Sequence, residues 1–279
     1  MPVIVAILAL CAAGYGAAAG ALLPRAAYRL AVPPSTPPRE RCPSGHRLEG
    51  PAHGWLGRAH CPPCAASRPP EASEPPESPG DFEPSGPFEP SEAFETSEPF
   101  ETSTRFFVSV CASVCAVLAL SVGVRPELGV WLIATPLALL LASVDARTRR
   151  LPDVLTLPLA ATTAALLGLA ALVPGTGGSW KGALLGGAVL TGAYWLLHLI
   201  NRRGMGFGDV KLAASVGLAL GWYGWDVLFT ATLLSFLLHF GYGVTLMLSK
   251  RAGWKTELPF GPFMIAGTLA GVVMGGVTA

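Results

Sequence analysis

An all-α, polytopic membrane bundle of about eight transmembrane helices is the fold class this sequence predicts, on three observations. First, 51% of the 279 residues are apolar and 13% are charged, against about 25% charged in an ordinary soluble domain. Second, the charge is segregated. Ten of the eighteen acids lie between Glu71 and Glu101, and beyond Arg105 only Glu127, Asp145, Asp153, Asp209, Asp226 and Glu257 remain. Third, apolar runs recur at lengths approaching the ~20 residues needed to cross a bilayer. A net charge of +1 leaves no basic footprint for nucleic acid, so the lipid bilayer is the expected surrounding.

The first run, residues 3–23, is followed by Arg25 and Arg29. A secretory signal peptide carries its positive charge ahead of the apolar stretch. Here the charge follows, which predicts a retained first transmembrane helix (residues 1–24) with its N-terminus outside and its far end in the cytoplasm. Gly16 and Gly20 give that helix a packing face. Residues 25–65 read as a cytoplasmic cysteine/histidine loop. Residues 66–104 carry Phe-Glu-Pro-Ser twice and then Phe-Glu-Thr-Ser twice. So polar a tract buries too little apolar surface to fold and is expected to be a disordered acidic tether.

Residues 105–279 form the membrane-embedded domain, with runs near 106–123, 128–144, 154–173, 182–200, 210–224, 227–248 and 259–278. Counting from an outside N-terminus, Arg147, Arg149, Arg150, Arg202, Arg203, Lys250, Arg251 and Lys255 all fall on cytoplasmic ends; Arg125 and Lys181 fall outside. The positive-inside rule demands this asymmetry of a multi-pass protein in a cell inner membrane. It also puts Asp145, ending the third span, and Asp209, opening the sixth, at one depth on the cytoplasmic face.

Asp209 belongs to Gly204-Met205-Gly206-Phe207-Gly208-Asp209-Val210-Lys211. A charge at the centre of a spanning helix costs roughly 2.5–3.5 kcal/mol, and less near the interface, so it needs a reason. The glycines let backbone or substrate approach closely. Helix packing is the plainer alternative, since Gly204 and Gly208 fit a small-xxx-small spacing. Two neighbouring carboxylates do not both ionise cheaply, so they share a proton. The ionised one then deprotonates water while its partner donates to a scissile carbonyl. His198 and His239 lie mid-span and read as satisfied packing histidines. Asp153 follows Pro152 at a helix start, where a carboxylate caps exposed N–H groups. Lys211 either hydrogen-bonds substrate or snorkels to the interface. Asp226 and Glu127 fall on the outer face, and Glu257 reads as a surface residue.

Gly206-Phe207-Gly208-Asp209 resembles the Gly-x-Gly-Asp signature of membrane-embedded aspartyl proteases. The segment from Ser143 through Asp145 and Asp153 to Pro158 is similar to the first-aspartate segment of the bacterial prepilin peptidases (type IV leader peptidases). Pro259-Phe260-Gly261-Pro262 resembles their C-terminal Pro-Phe-Gly-Pro element. The resemblance implies a membrane aspartic endopeptidase in which Asp145 and Asp209 are the catalytic pair, Gly206, Gly208 and Lys211 support it, and proteolysis needs no cofactor. The implied substrates are type IV prepilins or pseudopilins, whose basic leader is cut off at the cytoplasmic membrane face. Many family members also N-methylate the product with S-adenosylmethionine, a cofactor needed here only where methylation is retained.

Bacterial members often carry a cytoplasmic zinc loop of two Cys-x-x-Cys pairs. Here Cys61-Pro-Pro-Cys64 is intact, but Gly45 stands where the partner of Cys42 is expected, with His46 beside it. Two readings stand open: a Cys3His zinc site from Cys42, His46, Cys61 and Cys64, with His53 and His60 as spare ligands, or a degenerated loop without metal, to which the same loosened pattern points. The family's methylation is associated with this region, so the departure bears on methyl transfer and not on proteolysis. Two rivals belong to other classes. A small proton- or cation-coupled transporter would use the paired acids as carriers and predicts broken helices in both halves. A scaffold would recruit partners through the acidic tether.

Overall fold

The computed structural model describes residues 2–33, 36–42, 44–58, 61, 63–64, 100–202, 204–250, 253 and 258–279. Most of the expected tether, together with His60, Arg203, Arg251, Lys255 and Glu257, lies outside the described residues. The long helices are α1 (Pro2–Leu30), α2 (Phe100–Val122), α3 (Glu127–Thr148), α4 (Asp153–Ala170), α5 (Trp180–Ile200), α6 (Phe207–Tyr223), α7 (Trp225–Leu248) and α8 (Gly261–Thr278). Seven of these are long and apolar enough to cross a membrane. The eighth, α6, has 17 residues and is the short one expected at the sixth run. Leu10, Ile200, Phe240 and Leu248 are all more than two-thirds exposed, as suits a bundle whose outer surface meets lipid rather than water. The chain is a multi-pass helical membrane protein.

Two boundaries differ from the sequence expectation. Helix α1 continues past residue 24 to Leu30, because Ala26 and Ala27 still bury against Phe107 of α2 and Leu140 and Val144 of α3. Helix α2 starts at Phe100, inside the expected tether; extending an existing helix adds one hydrogen bond per residue fixed and needs no new nucleus.

Small residues set the closest helix pairs. A Cβ on Gly16 would stand 2.5 Å from the Cys111 carbonyl oxygen, and one on Gly20 would stand 2.5 Å from that of Phe107. The Gly-x-x-x-Gly face of α1 therefore lies directly on the α2 backbone, as its spacing predicts. Helices α5 and α6 do the same through Gly186, where a Cβ would come 2.6 Å from the Gly217 carbonyl oxygen. In lipid, where apolar burial drives little association, such backbone approach supplies the packing.

The contact of α1's last turns with Leu140 and Val144 puts the cysteine/histidine loop at the same end of the bundle as Asp145. At the far end the Arg125 guanidinium donates to the Gly276 carbonyl, and Glu127 accepts from the Gly177 amide. The sequence places both residues on the opposite side from the aspartates, and so does the fold.

Candidate active site

Asp145 sits in the last turn of α3 and is 4% exposed. A negative charge at a helix C-terminus is opposed by that helix's own dipole. The fold compensates with another helix: the Gly261 amide, first in α8, donates to Asp145 Oδ2 at 2.9 Å. A Cβ on Gly261 would stand 2.7 Å from that oxygen, so the approach requires glycine. The Pro-Phe-Gly-Pro element thus delivers a buried helix-end N–H, with no acceptor inside its own helix, to one carboxylate. Arg149, left-handed at φ 52°, stops α3 just beyond and donates its amide to the Asp145 carbonyl.

Asp209 is the third residue of α6, counted from Gly206 at the cap. Its carboxylate folds back to a backbone hydrogen bond with Gly206, the same return contact that an acid at the third helical position makes in a capping box. The two carboxylates, carried by α3 and α6, lie close enough for their charges to act directly on each other. Gly208 meets the α3–α4 connection, where a Cβ would come 2.9 Å from Leu151 Cβ. Gly204 is in a turn, its amide donating to Asn201 Oδ1 at 3.1 Å. The Gly204/Gly208 pair is therefore not one face of a helix, and the packing explanation fails for it.

Lys211 is engaged within the fold. Its Nζ pairs with Asp153 Oδ1 at 2.5 Å and lies 5.0 Å from the Phe207 ring centroid. Asp153, the first residue of α4, thereby ties α4 to α6. His198 is satisfied, 2.8 Å from the Met205 carbonyl. His239 is only partly so. It packs edge-on against Phe260 and Phe263, and its Nδ1 has no partner among the described residues.

Sequence reasoning missed Tyr194. It is buried on α5, close enough to Asp209 to interact with its charge, and its ring lies 5.9 Å from Phe236 and 6.1 Å from Phe260. A lone tyrosine in an apolar run carries no signal for this. Also missed were Arg25 and Arg29, read only as topology markers. Arg25 donates to the Arg58 and Glu49 carbonyls, and Arg29 donates to that of His53 while its guanidinium stacks 4.3 Å from the Trp55 ring. Together they pin the cysteine/histidine loop to α1.

That loop brings Cys42, His46, Cys61 and Cys64 together, with one potential ligand atom from each lying within 4.8 Å of all the others. Cys42 Sγ is 3.7 Å from Cys64 Sγ, and His46 Nδ1 is 3.6 Å from Cys42 Sγ and 3.3 Å from Cys64 Sγ. Thiolates bound tetrahedrally at about 2.3 Å stand about 3.8 Å apart, so the cluster is compatible with structural zinc. Burial pushes the Cys42 thiol up, but hydrogen bonds with the His46 backbone and ring and with Cys64 and Cys61 outweigh it and bring the thiol down to about 6, which favours the metal-binding thiolate. His53 is not part of the cluster.

Residues 132–244, which contain both aspartates, match the type IV leader peptidase family. The matched stretch runs from α3 into α7. It is similar to the prepilin leader peptidase/N-methyltransferase of Pseudomonas aeruginosa, 37% identical over 150 residues that make up 52% of this chain and 49% of the relative. That of Aeromonas salmonicida is 37% identical over 141 residues, 50% and 47% of the two chains. That of Stutzerimonas stutzeri is 34% identical over 166 residues, 57% and 55%. The chain spans about half the length of the curated relatives it matches. No solved structure matches it significantly.

Proposed function

We propose that the chain is an aspartic endopeptidase of the inner membrane that removes basic leader peptides from type IV prepilins or pseudopilins at the cytoplasmic face. One observation carries the reading: two acids from separate helices lie near enough for their charges to interact, at one end of a membrane bundle. In the proposed reaction one carboxylate takes a proton from water and the hydroxide attacks the scissile carbonyl carbon. The protonated partner donates to the carbonyl oxygen. Collapse of the tetrahedral intermediate breaks the C–N bond, and the leaving amine takes up a proton from the pair. Gly261 orients Asp145 through its amide, Gly206 and Gly208 let α6 start where Asp209 meets it, and Lys211 steadies α6 through Asp153. Peptides inside an intact helix are shielded, so the scissile bond is presented locally extended.

The matched family and relatives are peptidases, which favours cleavage over proton- or cation-coupled transport. The relatives' names also include N-methyltransferase; methyl transfer from S-adenosylmethionine is a second proposed activity. Zinc held by Cys42, His46, Cys61 and Cys64 is proposed to stabilise the loop that Arg25 and Arg29 anchor, and no step of proteolysis passes through it.

The test is to incubate purified protein with a synthetic prepilin and weigh the product. Loss of the leader mass is expected, with a further methyl increment where S-adenosylmethionine is supplied and methylation is retained; an intact peptide would refute the peptidase reading. Metal analysis of the same preparation is expected to return about one zinc per chain, removed by a Cys61→Ser/Cys64→Ser double substitution.

A further inference from the structure

The chain enters α8 through a short segment, residues 258–260, laid along one face of α7. Leu258 lies against Gly243, where a Cβ would meet Leu258 Cδ1 at 3.4 Å. The Phe260 ring is 5.1 Å from the His239 ring and 5.0 Å from that of Phe236. Positions 236, 239 and 243 follow at steps of three and four, so they share a face of the helix. Segment and helix run past each other in opposite directions. Gly261 comes next, with its amide on Asp145 Oδ2 at 2.9 Å.

The contacts at Gly243 and Phe236 are apolar, and apolar contact is non-directional, so it sets no register. The contact at His239 is directional. Its ring hydrogen-bonds the Pro259 backbone. Proline has no N–H, so the Pro259 carbonyl accepts and the ring donates. Nδ1 has no partner among the described residues, which makes Nε2 the donor and Nδ1 a bare, buried acceptor. Such an acceptor destabilises the fold, and the bilayer offers it no water. A phenylalanine would make the same edge contacts with Phe260 and Phe263 without that cost. Packing therefore accounts for a ring at 239 but not for a histidine; the hydrogen bond does. The start of α8 has no side-chain cap of its own, so a hold on Pro259 is a hold on where the helix begins.

We infer that His239 is a positioning residue: by donating its Nε2–H to the Pro259 carbonyl it sets the point at which α8 begins and so holds the Gly261 amide on Asp145. It acts through Gly261 and not on the reacting atoms. The consequence for cleavage rests on the peptidase reading of the aspartate pair; the placement of Gly261 does not. Misplacing a reacting group by about 1 Å costs as much as ~10²-fold in rate. Losing one hydrogen bond from a segment that keeps its apolar contacts costs less than that.

The test reads placement and turnover separately, on full-length protein in lipid nanodiscs. Amide hydrogen exchange over residues 259–262 reports on Phe260 and Gly261 alone, because the other two are prolines. His239→Phe is expected to speed that exchange about tenfold. It is also expected to lower kcat for a synthetic prepilin about tenfold to thirtyfold, with KM within about twofold. His239→Gln, whose amide nitrogen reaches the place of Nε2, is expected to restore both; His239→Asn, whose shorter side chain matches Nδ1, is not. In a Gly261→Ala background His239→Phe is expected to cost little further, since both changes act through one contact. Should His239→Phe fail to fold, His239→Asn carries the same readout. Unchanged exchange without the Nε2 donor, a glutamine no better than phenylalanine, a loss carried in KM, or full additivity with Gly261→Ala would each overturn the inference. Exchange that responds as expected in a protein that never cuts the peptide would instead count against the peptidase reading and leave the placement of Gly261 by His239 standing.

Discussion

Two carboxylate sites are buried at opposite ends of this bundle, and their partners are opposite in kind. At the far end Glu127 is fully buried and accepts from the Gly177 amide at 2.8 Å, and the Arg125 guanidinium closes on the same spot. There the acid takes an amide while the neighbouring guanidinium donates to the Gly276 carbonyl, and the contacts staple the α2–α3 loop to the loop before α5 and to the end of α8. At the other end Asp145 has one amide, from Gly261, and beyond it another acid, Asp209. An acid facing an acid contributes nothing to holding the fold. The difference teaches that burial alone does not tell the two sites apart; what lies beside each acid does.

The comparison breaks most severely through the acids themselves. Asp145→Asn and Asp209→Asn are each expected to cut leader cleavage by about 10²–10⁴-fold while the folded protein remains abundant in membranes. Retained cleavage in either would remove that residue from the pair. Next comes the support for one acid. Gly261→Ala places a Cβ 2.7 Å from Asp145 Oδ2 and is expected to cost roughly 10²-fold in kcat through misplacement of the carboxylate, with little change in melting temperature. Glu127→Ala should show the reverse pattern. Leaving the Gly177 amide without its acceptor is expected to cost about 1–3 kcal/mol of stability in thermal unfolding, with kcat per folded molecule unchanged. The smallest effect is at Lys211. Its partner Asp153 is well exposed, so Lys211→Met is expected to lose no more than the ~0.2–1 kcal/mol of an exposed ion pair, a change of about fivefold or less in cleavage rate.

The order of the helices, the short sixth span, the Gly16/Gly20 face and the placing of both aspartates at one end were legible because each follows from local pattern: run length, glycine spacing, and the parity of spans between two acids. The four zinc-compatible ligands were legible too, since Cys61-Pro-Pro-Cys64 and Cys42 with His46 are short-range motifs. Which groups lie around the aspartates was not. The Gly261 amide comes from 116 residues along the chain, Tyr194 from the middle of an apolar run, and Lys211 turned to Asp153 because α4 packs beside α6.

By itself the sequence determined that the chain spans a membrane, how its spans are ordered, and that two acids share an end, since apolar length and charge sign act on each segment independently of its neighbours. Only the tertiary structure decided that α8 lends its positive N-terminus to Asp145, that two arginines clamp the cysteine/histidine loop, and that His239 lies against the segment leading into α8. Those depend on which helix faces meet, and small residues permit many meetings that linear spacing does not rank.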